Sequence, residues 1–164
     1  MKCISVYLQI ISIYICSIII VYAEEIIPVD ITSDEMQWDD NARIAYAIGN
    51  AAAIQGKRKM QADKLIVYLE KNNDTNEIIL IKAEGNVIFT NMDEIATGKL
   101  ATYDFIKNNI IIEDEVTLMK NDNLMKGELL EMNLNTGISQ ISSKNDSKKV
   151  KMRFLPKTND EDIE

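Results

Sequence analysis

The chain has 164 residues, of which 46% are hydrophobic, and its formal net charge at pH 7 is -8. This length predicts one domain of ordinary size, and the acidic balance excludes general nucleic-acid binding because phosphates need a basic surface. The sequence contains no histidine, and its two cysteines, Cys3 and Cys16, lie among the first 23 residues. Zinc sites and nucleophiles that depend on cysteine or histidine are therefore excluded from the rest of the chain.

The first 23 residues have the pattern of an export signal. Lys2 precedes a mostly apolar run over residues 4–23, and Glu24 and Glu25 follow it directly. A positive start, an apolar centre and the small residue Ala23 at the boundary predict cleavage after Ala23. The apolar run also approaches the roughly 20 residues that cross a bilayer, so a retained membrane anchor is the alternative.

The mature chain begins with extended segments. Residues 26–31 are predicted to be a strand, because Pro28 is incompatible with a helix interior and apolar residues then alternate with polar ones. A turn over residues 33–35 follows, and the alternation resumes up to Trp38. The next predicted strand covers residues 43–48.

The central part of the chain repeats one plan three times, with a period of about 30 residues. Each copy has a short apolar strand, a polar turn and a second strand, over residues 49–68, 84–105 and 115–132. The pairs Gly49-Asn50 and Gly85-Asn86 are interpreted as turns that feed a strand. No copy can bury its apolar face alone, so the sequence predicts an all-β fold in which hairpins roll into one double-layered antiparallel sheet.

The last strands and the tail complete the predicted organisation. Return strands are expected over residues 78–82 and 109–112, and further strands over residues 138–141 and 150–154. Pro156 ends the domain, and residues 157–164 form a charged tail with too little apolar content to fold. The predicted parts are a signal or anchor over residues 1–23, a β domain over residues 24–156, and the tail.

Catalytic chemistry is not expected. The carboxylates cluster in predicted turns and on polar strand faces, where solvent covers them. The glycines stand between strands and not before helices, so they form no phosphate-binding loop. The sequence predicts a protein that is not an enzyme, with no catalytic residue, metal site or cofactor.

The space between the two layers is the candidate site. A closed core is one interpretation, and an apolar groove that binds lipid is the other. A bound chain of about twelve carbons would gain on the order of 10 kcal/mol, at roughly 0.8 kcal/mol per methylene. Aligning the copies predicts these inward-facing residues: Trp38, Ile66, Tyr68, Phe89, Tyr103, Phe105, Leu118, Leu130, Met132 and Leu134.

Several short motifs resemble the LptA/OstA family of periplasmic proteins that bridge lipopolysaccharide transport. The similarity covers about residues 29–156. Each motif is weak alone, but their order and spacing are specific. The motifs are Val29-Asp30-Ile31-Thr32-Ser33-Asp34, Gly49-Asn50-Ala51, Gln55-Gly56, Ala62-Asp63-Lys64-Leu65, Glu84-Gly85-Asn86-Val87, Thr97-Gly98-Lys99-Leu100-Ala101-Thr102-Tyr103 and Lys149-Val150-Lys151-Met152-Arg153-Phe154-Leu155-Pro156.

The resemblance implies a β-jellyroll folded like a taco, with the acyl chains of lipid A held between its layers. Its lipid-contacting positions would be Val29, Ile31, Tyr103 and Phe105. It also implies head-to-tail stacking in the periplasm, from an inner-membrane anchored partner of similar fold to the N-terminal domain of the outer-membrane lipopolysaccharide translocon. No cofactor is implied.

Exposed terminal strands give the stacking a physical reason, because their unpaired backbone groups can pair with a second copy. Residues 26–31 are predicted at one edge and residues 150–154 near the other. Two alternatives remain: the inner-membrane anchored, LptC-like partner of the same fold, and a structural envelope module that binds no lipid. The basic set Lys144, Lys148, Lys149, Lys151 and Arg153 is either a solvated strand face or a contact for lipid phosphates.

Overall fold

Ten antiparallel strands form one continuous sheet in the computed structural model, which describes residues 27–72, 75–145 and 148–154. The predicted signal and charged tail lie outside the described residues. No helix able to span a membrane is found in the part of the chain that the structure describes. The strands are β1 (Asp30–Thr32), β2 (Glu35–Asp39), β3 (Ile44–Gln55), β4 (Arg58–Asn72), β5 (Thr75–Asn91), β6 (Glu94–Asp104), β7 (Asn109–Lys120), β8 (Asn123–Asn133), β9 (Ile138–Ser142) and β10 (Lys151–Arg153).

The long strands β3 to β8 each pass through two layers, because the register of every pairing among them shifts near the middle. One layer ends at β2 and β9, and the other ends at β1 and β10. Layer A contains β2, β9 and residues 44–48, 64–72, 75–84, 100–104, 109–113 and 129–133; layer B contains β1, β10 and residues 51–55, 58–62, 87–91, 94–98, 116–120 and 123–127.

The sheet bends where residues with positive φ interrupt the strands. Gly49 and Asn50 have φ of 76° and 46°, and Gly85 and Asn86 have φ of 76° and 45°. These pairs lie inside β3 and β5, so their interpretation as turns between strands is wrong. Glycine and asparagine adopt positive φ both in tight hairpin turns and in β-bulges, and here the bulge bends the strand without reversing it. The predicted return strand over residues 78–82 is accordingly the first half of β5.

Polar contacts mark this bend line on the outside of the sheet. Asn50 Nδ2 donates to Asp34 Oδ2 over 2.8 Å, and Asn86 Nδ2 donates to Asp63 Oδ2 over 2.9 Å. Ion pairs continue the row, joining Lys99 to Glu115, Lys144 to Glu113 and Asp114, and Lys148 to Glu128. The side chains that lie outside the bend are thus paired with one another.

The inner faces of both layers meet in one core. Every buried residue among those described is hydrophobic. The register aligns Val67, Ile81, Tyr103, Ile110 and Met132 in one row across five strands of layer A. This arrangement confirms the predicted all-β, rolled antiparallel sheet of repeated hairpins.

The two margins of the sheet lie where the sequence predicted them. In layer B, β1 pairs only with β3 and β10 pairs only with β8, so these strands are opposite edges. Each edge strand has one side without a partner strand among the described residues. The described sheet therefore does not close into a barrel.

Candidate functional site

Nine of the twelve candidate site residues line or pack against the core between the layers. Five are buried and four are partly buried, and both layers contribute to the set. The buried residues are Phe89, Tyr103, Leu118, Leu130 and Met132, and the partly buried ones are Val29, Ile31, Phe105 and Leu134. The structure brings these nine together.

The inward placement of Ile66 and Tyr68 is wrong. In β4 the buried residues are Met60 and Ala62, and after the bend they are Leu65 and Val67. The inward parity of β4 changes at the bend. The prediction aligned Tyr68 with Tyr103 in the repeats, whereas the register aligns Val67 with Ile81 and Ile81 with Tyr103. Tyr68 instead lies on the outer face, where Lys82 Nζ is 5.6 Å from its ring centroid.

The burial predicted for Trp38 is also wrong. Trp38 pairs with Ala45, so it shares the face that forms the core, yet its side chain is 52% exposed. It lies on β2, which ends layer A, and no further described strand covers it. Its Nε1 donates a 3.1 Å hydrogen bond to Asp40 Oδ1.

The space between the layers is tightly packed among the described residues. The cavity between the layers has a volume of about 10 Å³, which is barely the space of one water molecule. Large side chains fill the rest: Phe89 and Leu118 from layer B meet Ile81 and Ile110 from layer A. Among the described residues, the inner faces of the two layers are therefore packed together around this small cavity.

Hydrogen bonds join the layers at their free ends, opposite the bend. The Arg58 guanidinium donates to Tyr103 Oη over 3.0 Å and to Asn108 Oδ1 over 3.2 Å. Tyr103 Oη in turn donates to Gln55 Oε1 over 3.2 Å. Gln55 and Arg58 belong to layer B, and Tyr103 lies at the end of β6 in layer A, stacked on Phe105 with ring centroids 4.0 Å apart. We call the four hydrogen-bonded residues the mouth.

Two residues of the mouth separate the interior from an outside cleft. Gln55 and Arg58 line both the small cavity and a cleft of about 610 Å³ on the outer side. Ile27, Met92 and Leu134 give that cleft apolar walls, and Lys57 and Asn91 make it partly polar. The mouth is thus the partition between solvent and the apolar interior.

Sequence reasoning missed Arg58, although the pattern contained a signal. Met60 is buried, and residues two apart in a strand share a face, so Arg58 belongs to the inner face. A charged residue at an inward position beside a turn is unusual and marks the end of the core. Parity counted back from Met60 would have found it.

The described basic residues near the C-terminus either form surface ion pairs or are exposed to solvent. Lys144 and Lys148 pair with carboxylates, and the hydrogen bond with Glu128 raises the pKa of Lys148 while it lowers the pKa of Glu128. Lys151 and Arg153 are exposed on β10, beside an edge cleft of about 520 Å³. Within the described ranges, no group of three or more side chains that could hold a metal is found.

Comparison with known proteins agrees with this architecture. The family described as "LptA/(LptD N-terminal domain) LPS transport protein" matches residues 30–138. A relative, the LPS-assembly protein LptD of Vibrio cholerae, is 26% identical over 91 residues, which are 56% of this chain and 10% of that protein. The chain therefore spans only about a tenth of that relative's length.

A solved structure shows the same fold. It is LptH of Pseudomonas aeruginosa, described as the LptA homologous periplasmic component of the conserved lipopolysaccharide transport device. The TM-score is 0.70 at 17% sequence identity, and the match covers 79% of this chain and 96% of the other. The LptA-type β-jellyroll is confirmed by this match.

Proposed function

Because the chain belongs to the LptA/(LptD N-terminal domain) LPS transport protein family, we propose that it binds lipopolysaccharide through the acyl chains of lipid A. In this proposal it carries the lipid across the periplasm as one unit of a head-to-tail bridge between the inner and outer membranes. It acts by binding alone, without a catalytic residue, a metal or a cofactor.

The observation that carries the proposal is the composition of the interior. Every buried residue among those described is hydrophobic, and the inner faces run across the whole width of the sheet. Seven strand spacings of about 4.8 Å give each layer a width of roughly 34 Å. An acyl chain between the layers would exchange one set of apolar contacts for another, so it would bury no polar group without a partner.

Binding requires the layers to separate at the mouth, because the described side chains leave little space between the layers. Lipid would select a conformation in which the mouth hydrogen bonds are broken and the layers remain joined at the bend. Each buried methylene contributes roughly 0.8 kcal/mol toward the cost of that change. Long acyl chains are therefore favoured over short ones.

Photo-crosslinking tests the carrier function directly. Benzoylphenylalanine placed at Tyr103 or Phe105 should label lipopolysaccharide on illumination, since both side chains line the interior cavity. The matched control is the same group at Tyr68, which lies on the outer face and should label far less. Labelling at neither interior position would contradict the carrier function and favour a structural module that binds no lipid.

Assembly would use the two edges of layer B. The edge at β1 carries Asp30, close in sequence to the exposed Glu35, whereas the edge at β10 carries the exposed Lys151 and Arg153. Opposite charges at opposite edges favour a head-to-tail contact that does not close, with an anchored partner and the translocon domain at its ends. Lys151→Pro should shorten the oligomers seen by solution scattering without unfolding the monomer, because proline cannot donate at an edge. Unchanged oligomer size would argue against this edge.

Processing decides between a free bridge protein and an anchored partner. We propose cleavage after Ala23, which would release a periplasmic domain over residues 24–156 with a charged tail over residues 157–164. Sequencing the N-terminus of the mature protein checks this. Finding Glu24 first excludes the anchored alternative, and an intact Met1 would favour it.

A further inference from the structure

We propose that Arg58 binds the phosphate of a phosphorylated lipid whose acyl chains enter between the layers. This inference rests on the proposed function and adds to it a site for the head group. It assigns the polar head to the cleft outside the mouth and the chains to the interior behind it.

The hydrogen-bond partners of Arg58 are neutral, which distinguishes it from the six described lysines that pair with carboxylates. Its guanidinium donates to the Tyr103 hydroxyl and the Asn108 amide oxygen. No carboxylate of the described residues lies within 4.0 Å of it, whereas Lys120 at the same rim of layer B is paired with Glu94. A half-buried guanidinium without an anion can bind one strongly, since it presents a planar fork of donors that matches phosphate oxygens.

The position of Arg58 suits an amphiphile better than a free ion. Arg58 lines the polar side of the 610 Å³ cleft and also the apolar cavity between the layers. A phosphate in the cleft would therefore hold the first carbons of its chains at the entrance to the interior. Ile27, Met92 and Leu134 provide apolar contact for those carbons within the cleft.

Phosphate binding would also help the layers to separate. The hydrogen bonds of Arg58 connect layer B to Tyr103 at the end of β6 in layer A. A charged acceptor in the cleft competes with these neutral acceptors, because hydrogen bonds between ionised groups are about twice as strong. An Arg58 side chain drawn toward the phosphate releases Tyr103, so head-group binding and entry of the chains are coupled.

The test compares two amphiphiles that share one alkyl chain. Dodecyl phosphate carries the anionic head, dodecyl maltoside carries an uncharged one, and inorganic phosphate is the head alone; the detergents are used below their micelle concentrations. Calorimetric titration of the full mature chain should give tighter binding of dodecyl phosphate than of dodecyl maltoside. Arg58→Gln should lower the affinity for dodecyl phosphate by about tenfold or more relative to the affinity for dodecyl maltoside, which should not fall because the substitution removes two hydrogen bonds that hold the layers together. Arg58→Lys, which keeps a point charge, should lose less.

Lys82→Gln is the matched control, since it also removes one positive charge, from an exposed side chain on the outer face of layer A beside the Tyr68 ring. The affinity of this variant for dodecyl phosphate should stay at the wild-type value. An equal loss in Lys82→Gln would show general attraction by positive charge, and that result would overturn the site.

The remaining outcomes separate this inference from the proposed function. An equal change in affinity for both amphiphiles in Arg58→Gln would mean that Arg58 acts only through its contact between the layers, which overturns the head-group site alone. Binding of inorganic phosphate as tight as dodecyl phosphate, and equally sensitive to Arg58→Gln, would overturn the assignment to a lipid. Binding of neither amphiphile by the wild-type chain would overturn the carrier function, and this inference with it.

Discussion

Removing the ring of Phe89 should destabilise the fold strongly, because that ring is packed between the two layers. Phe89 is 1% exposed and lines the small cavity behind the mouth. Replacing a buried phenylalanine with alanine costs about 3–5 kcal/mol, which combines lost burial with the cavity left behind. Since domains are typically stable by about 5–15 kcal/mol, Phe89→Ala should remain folded with clearly lowered stability.

Urea unfolding followed by circular dichroism measures this loss, and Phe154→Ala is the matched control. Phe154 is 67% exposed, so the same substitution there should change the free energy of unfolding by less than about 0.5 kcal/mol. In a thermal scan, Phe89→Ala should lower the Tm by about 12–20 °C at roughly 4 °C per kcal/mol. A loss below about 1 kcal/mol for Phe89→Ala would refute the tight contact between the layers.

The same variant probes the interior as a binding site. The space vacated by the ring adjoins the cavity lined by Tyr103 and Phe105. In the proposed carrier, an alkyl chain would enter that space without displacing the ring, so Phe89→Ala should bind dodecyl maltoside more tightly than the wild-type chain. Weaker binding in a variant that remains folded would contradict the entry of chains at this point.

Three further predictions concern the mouth, the bend and the surface. Tyr103→Phe keeps the ring but removes the hydroxyl that joins the layers, so it should lower the free energy of unfolding in urea by about 1 kcal/mol. The same variant should take up a fluorescent fatty acid faster in stopped-flow measurements, and an unchanged rate would show that the mouth does not limit access. Gly98→Ala should lower the free energy of unfolding by about 1–3 kcal/mol in the same assay, because the added Cβ would lie 2.9 Å from the Glu113 carbonyl oxygen. An unchanged free energy of unfolding would mean that the bend can move to accept the methyl group. The pKa of Glu128 is lowered in the folded state, chiefly by the hydrogen bond from Lys148, so its contribution to stability is present above the unfolded pKa and is lost as the pH falls through the folded pKa. Glu128→Gln should therefore flatten the fall of the urea midpoint below the ordinary glutamate pKa of 4.5, and an identical pH profile would contradict this.

The sequence predicted the hairpin turns between strands better than it predicted the bulges inside them. Polar residues around Met92-Asp93 and at Asn121-Asp122 marked turns that the structure confirms, because a strand reversal exposes its backbone to solvent. The pair Gly49-Asn50 has positive φ in a bulge inside β3. Hairpin turns use the same residue types with positive φ, so the local sequence does not distinguish a bulge from a turn. The error at Ile66 came from the alignment of the copies, which is one residue out of register with the sheet at this strand.

The position of a strand within the sheet, at its edge or in its middle, also could not be predicted from the local sequence pattern. Trp38 has the alternation of a core strand and faces the core side, yet β2 ends its layer and leaves the ring exposed. Whether two apolar faces touch or are held apart by lipid depends on what occupies the gap, which composition does not encode. The family motifs predicted the jellyroll and its edges, but they did not predict the hydrogen bond between Arg58 and Tyr103.

The bend and the mouth hold the layers with very different strengths. At the bend, six strands run covalently from one layer into the other, and outer hydrogen bonds and ion pairs reinforce them. At the mouth, the described side-chain contacts between the layers include three hydrogen bonds, worth about 1 kcal/mol each. Burial of about four methylene groups offsets that sum. In the proposed carrier the layers therefore open at the mouth with the bend as the hinge, and the acyl chains replace the apolar contacts that the inner faces lose as they separate.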